Sequence, residues 1–115
     1  MNIDELEQQI RAVSADPVVH GVANQLAAWK DSSATAEDLA TTMERYIGNA
    51  WIGSDRDHDR VYALWSVFRK DSIEAIRGMT MNERLYSFGL LDRFDALQSD
   101  GDRQALYAKL HASGA

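Results

Sequence analysis

Apolar positions along this chain recur at spacings of three and four, the period of one face of an α-helix. Ile3, Leu6, Ile10 and Val13 form the first such stripe, with Asp4, Glu5, Glu7 and Arg11 facing away. Asn2 is placed to cap this helix, and Glu5, three residues on, completes a capping box. The helix is expected to end near Ala15. Asp16 then caps a second helix that begins at Pro17, where the missing N–H costs nothing. Val18, Val22, Leu26 and Trp29 carry its apolar face, and Gly21 is its weak point.

Residues 31–34 read as a polar loop, and Thr35 with Asp38 opens a third helix bearing Leu39, Met43, Tyr46, Ile47 and Ala50. Gly48 or Gly53 is the expected left-handed terminus. Ser54 caps a long fourth helix with Val61, Leu64, Trp65, Phe68 and Ile76 on one side. It ends at Arg77 and Gly78, and the pattern leaves open whether it is continuous or broken in two at Asp71-Ser72. Thr80 with Glu83 starts a fifth helix through Leu97, and Ser99 or Asp100 caps a last one with Leu106, Tyr107 and Leu110. No stretch alternates with the period of a strand. The pattern predicts an all-α protein, a compact bundle of about five or six helices without β-sheet, forming one domain over residues 1–115.

The stretch 81–97 departs from a single stripe. Leu85, Phe88 and Leu91 project to one side, and Tyr86, Leu90, Phe94 and Leu97 to the other. A helix apolar on two faces is either central and covered twice, or leaves one face open to a partner or to a second copy of the chain. A homodimer contact through 81–97 is therefore one expectation.

Charge narrows the function classes. The net charge is −6. Residues 1–59 hold 11 acidic and 4 basic side chains, a balance of −7, whereas residues 60–115 hold 7 and 8, a balance of +1. Nucleic-acid binding rests on neutralising phosphates with Lys and Arg, so this balance disfavours it and points to a basic protein partner. No run is long and apolar enough to span a bilayer. The acidic start of the chain lacks the basic and apolar regions of a signal peptide, and a cytoplasmic location is expected. With no cysteine, thiolate metal sites, iron–sulfur clusters and disulfides are excluded.

Candidate chemistry is sparse. Asp55-Arg56-Asp57-His58-Asp59 begins like a calcium loop, but its sixth position is Arg60 instead of Gly and its twelfth is Ser66 instead of Glu. Acids in a first turn also offset the helix dipole, which accounts for the cluster without a ligand. His20, His58 and His111 lack the i, i+4 spacing of a helical zinc site. There is no nucleophile elbow, P-loop or dinucleotide fingerprint. No enzyme, metal or cofactor is expected.

Trp51 stands between two glycines, Gly48 and Gly53, next to the acidic cluster. An aromatic next to exposed charge is the kind of anchor that interfaces use. Trp51, Asp55, Asp57 and Asp59 are the candidate partner-binding residues. The expected function is a small acidic helical protein-binding module, in the physical class of inhibitor, immunity and antitoxin proteins that mask a basic partner. The alternative is a helix-turn-helix nucleic-acid binder around the Gly78 turn, drawing on Arg69, Lys70, Arg77 and Arg84.

Overall fold

A computed structural model describes residues 1–112, so the last three positions of the expected 1–115 domain lie outside the described residues. Seven α-helices and no strand occur among the described residues: α1 (Ile3–Arg11), α2 (Pro17–Asp31), α3 (Ala36–Asn49), α4 (Asp55–Phe68), α5 (Met81–Ser87), α6 (Leu91–Ala96) and α7 (Asp100–Lys109). The all-α expectation holds.

The helix starts arise where local chemistry places them. Asn2, Asp16, Thr35, Ser54, Thr80 and Ser99 each turn a side-chain oxygen onto a backbone N–H of the following turn. Asn2/Glu5, Thr35/Asp38 and Thr80/Glu83 form reciprocal capping boxes. These bonds satisfy N–H groups that a helix start leaves without partners.

The ends follow other rules. The first helix stops at Arg11, short of Ala15. Neither Gly48 nor Gly53 adopts the left-handed conformation, and Ala50 ends α3 by turning extended. Gly78 is not left-handed either: it closes a short 3-10 turn, Ile76–Gly78, after which Met79 is extended. The fourth helix ends at Phe68, before Asp71, and the chain winds on through a π turn, Arg69–Ile73, closed by the Glu74 N–H bond to the Arg69 carbonyl.

The single helix expected over 81–97 is two helices. Gly89, with φ +66, ends α5 in a Schellman motif. Its N–H bonds to the Tyr86 carbonyl and the Leu90 N–H to the Leu85 carbonyl. Leu85 and Leu90, brought together by this turn, are both buried. The turn also seats α1: a Cβ on Gly89 would lie 2.9 Å from the Ile3 side chain and 2.8 Å from the Asp4 carboxylate. Gly21 plays a similar part between α2 and α3, because a Cβ there would meet the Tyr46 hydroxyl at 2.7 Å.

One contiguous core joins buried residues of all the long helices. An aromatic line runs through it, from Trp29 of α2 to Phe88 (centroids 5.5 Å apart), on to Phe68 (5.5 Å) and to Trp65 of α4 (6.0 Å). Tilted and edge-on ring pairs of this kind add to the burial term. No described helix is long and apolar enough to cross a membrane.

Candidate partner-binding site

The α3–α4 connection positions the first candidate. After Ala50 leaves the helix, Ile52 turns inward and is buried, while Trp51 turns outward and is 87% exposed. Two bonds hold the segment in place. The Gly53 N–H reaches the Asp16 carboxylate at 3.4 Å, and the His58 ring Nε2 donates to the Ile47 carbonyl at 3.0 Å. Since a carbonyl can only accept, Nε2 carries the proton. The Trp51 indole stands between two hollows. One, about 510 Å³, is walled by Val18, Tyr46 and Ala50 with Thr42, Arg45 and Asn49 at its polar edge. The other, about 300 Å³, includes Ile52, Gly53, Asp55 and His58.

The four candidate residues do not form one patch. Asp55 shares a hollow with Trp51, whereas Asp57 and Asp59 line a separate one of about 660 Å³ with Val13, Ser54, Arg56 and Arg60. Arginines alternate with the acids there, so the surface is charge-mixed, not acidic. Asp55 and Asp57 lie in the first turn of α4, where they complement the helix dipole. No group of three or more His, Asp or Glu side chains suited to a metal occurs among the described residues. Each histidine makes a fold-holding bond: His20 Nε2 with the Ser14 carbonyl, His58 as above, and His111 Nε2 as acceptor from the Glu37 N–H at 3.1 Å.

The helix-turn-helix residues are largely spent inside the fold. Arg84 is buried and donates to the Leu110 carbonyl at 3.2 Å. Arg69 pairs with Glu44 and Glu74. Lys70 and Arg77 remain exposed. The helix after the turn, α5, has 7 residues, short for a reading head in a major groove.

Two polar clusters were missed by the pattern of the sequence. The first centres on Glu44 of α3, whose carboxylate accepts from Tyr62 Oη (3.1 Å), Trp65 Nε1 (2.9 Å) and the Arg69 guanidinium. Partial burial pushes this carboxyl up, but the hydrogen bonds from Trp65 and Tyr62 and the Arg69 charge outweigh it, leaving it below the ordinary glutamate value. A signal was present: Tyr62, Trp65 and Arg69, at i, i+3 and i+7, put three donors on one helix face, and such a face calls for an acceptor.

The second centres on Lys109 of α7, which is 4% exposed. Its ammonium donates to the carbonyls of Trp29 (2.7 Å), Ser32 (2.7 Å) and Ala34 (2.9 Å), and lies 3.9 Å from the centre of the Trp29 ring. Burial, with the nearby Arg93 charge, pushes Lys109 down to about 8. The three carbonyls use all three of its donors, so it closes the C-terminus of α2 from another helix.

No protein-family model matches this sequence, and neither a curated protein nor a solved structure matches it.

Proposed function

We propose that the chain is a protein-binding module, an inhibitor-, immunity- or antitoxin-like domain that masks a partner, with Trp51 as its anchor. The observation that carries this reading is Trp51, 87% exposed between two hollows on a connection whose neighbouring side chain, Ile52, is buried. A large indole held in water by an ordered segment forgoes burial worth about 1.5–3 kcal/mol for a large apolar side chain. A partner that covers it recovers that term, and the fixed loop keeps the entropic cost of ordering small. Asp55 lies on the same rim and supplies a polar contact, while Asp57 and Asp59 face a neighbouring surface.

The helix-turn-helix alternative is the weaker reading. Two of its four cations, Arg69 and Arg84, are engaged within the fold. A phosphate backbone needs free cations.

Co-purification from the native host tests the proposal, using the unsubstituted chain, Trp51→Ala, and a variant with Asp55, Asp57 and Asp59 all changed to Asn. A partner recovered with the first and lost with Trp51→Ala is the expected result. Recovery that ignores both variants, or no partner at all, overturns it.

A further inference from the structure

The fold creates a more acidic apolar surface than the one around Trp51. The Gly89 turn sends Leu85, Phe88 and Leu90 into the core and leaves Tyr86 58% and Leu91 37% exposed. Two adjoining hollows share these two side chains. The charged residues lining them are Asp4, Glu83, Asp92 and Asp95, and no Lys or Arg lines either one. Asp4 comes from α1, brought here by its packing on Gly89. Asp4 is paired with Lys30, but Asp92 and Asp95 take part in no ion pair among the described residues. Arg93, between them in sequence, is turned away to Asp31 and the Lys30 carbonyl.

We propose that this α5–α6 face, with Tyr86 and Leu91 set inside a rim of carboxylates, docks a basic amphipathic segment of a partner protein. Apolar side chains on one face of such a segment cover Tyr86 and Leu91, and its flanking cations meet Asp92, Asp95 and Glu83. Charge complementarity selects this occupant. A second copy of the chain would set carboxylate against carboxylate, and an anionic nucleic acid or membrane surface would be repelled. The Trp51 surface fits a basic segment less well, because Arg45 lines one of its hollows and Arg56 and Arg60 alternate with Asp57 and Asp59 in the neighbouring one. The inference rests on the reading of the chain as a protein-binding module and assigns the basic part of the partner to a different face.

The test is a titration of the isotopically labelled full chain with a synthetic helical peptide carrying leucines on one face and lysines on the other, followed by amide NMR shifts. Shifts centred on Tyr86, Leu91, Asp92 and Asp95 are expected, weakening as salt is raised. The double variant Asp92→Asn with Asp95→Asn, both exposed, should bind roughly two- to thirtyfold more weakly, taking about 0.2–1 kcal/mol per exposed pair. A matched peptide with glutamates in place of lysines should not bind. Shifts centred on Trp51 and Asp55, or unchanged affinity in the double variant, sink this inference while leaving the binding-module reading intact. No shifts anywhere also overturns it. The module reading itself is decided separately, by the native co-purification.

Discussion

Trp29 and Trp51 sit at the two ends of comparable problems. Each stands at the exit of a long helix, beside a short connection to the next. Trp29 is 5% exposed and Trp51 is 87% exposed. The difference lies in what distant parts of the chain bring to each. Trp29 donates its indole N–H to the Thr35 carbonyl at 2.9 Å, packs against Phe88, and is roofed by the Lys109 ammonium. The same connection receives His111, whose ring accepts from the Glu37 N–H. Phe88, Lys109 and His111 come from some 60 to 80 residues away in sequence. The α3–α4 connection receives from afar the Asp16 carboxylate, and nothing covers the indole. One connection is sealed by α7 into the core; the other is held only at its edges and presents its aromatic outward. One of two loops of similar length thus buries its tryptophan and the other exposes it; under the proposed function the second serves recognition.

The comparison breaks most sharply at Trp29. Trp29→Ala should lower unfolding free energy by about 3–5 kcal/mol, the range for a large aromatic removed from a core. A urea midpoint within error of the unsubstituted chain would show that the α2–α3 connection is not sealed as described. Lys109→Met keeps the apolar stem and removes the three donors; the Trp29 carbonyl keeps its bonds from Ser32, so the loss is that of the charge-assisted bonds themselves, roughly 1.5–3 kcal/mol in the same assay.

The pH dependence of that lysine sharpens the point. The unfolded chain carries Lys109 at its ordinary value of 10.5 and the folded chain at about 8, so between these limits the unfolded state binds more protons. Stability rises with pH where that holds. Denaturation measured from pH 7 to 10.5 should therefore show the unsubstituted chain gaining on Lys109→Met above about pH 8, with a level difference below it. A difference that shrinks over that window contradicts the assignment.

His111 makes a smaller contribution. It occupies the left-handed region at φ 56, where a non-glycine residue is strained, and its bond to Glu37 offsets that strain. His111→Ala keeps the strain and loses the bond, so a loss of about 0.5–1.5 kcal/mol is expected by thermal or chemical denaturation. Glycine at the same position relieves the backbone and should cost less than alanine; the reverse order would show that the conformation is not left-handed. The smallest effect belongs to the exposed loop. Trp51→Ser should shift stability by no more than about 0.5 kcal/mol, as expected for a surface position, while partner recovery disappears. A large destabilisation would mean that the indole is packed after all.

The helix starts were legible from the sequence because a cap acts within one turn. Asn2, Asp16, Thr35, Ser54, Thr80 and Ser99 sit two or three residues before the N–H groups they satisfy. The core stripes were legible for the same reason: residues three and four apart share a face whatever lies opposite. Leu6, Ile10, Leu26, Met43, Val61 and Trp65 are all buried where their spacing placed them. Gly89 was legible in principle, as a glycine followed by Leu90, the pattern of a Schellman terminus. The apolar residues on both sides of it obscured the stop, since a broken helix and a two-faced helix present the same composition.

What only the tertiary structure decided is which local feature meets which distant one. Glu44 draws its donors from α4 and the π turn after it, Lys109 finds its carbonyls at the end of α2 and in the α2–α3 connection, and Asp4 joins Asp92 and Asp95 on one surface although four helices separate α1 from α6 in sequence. The acidic run Asp55, Asp57 and Asp59, conspicuous in sequence, divides between two hollows because successive residues of a helix point about 100° apart. Local hydrogen bonds and periodicity set the elements; burial and charge pairing between elements, which depend on packing geometry and not on sequence distance, decided that Trp29 is covered and Trp51 is exposed.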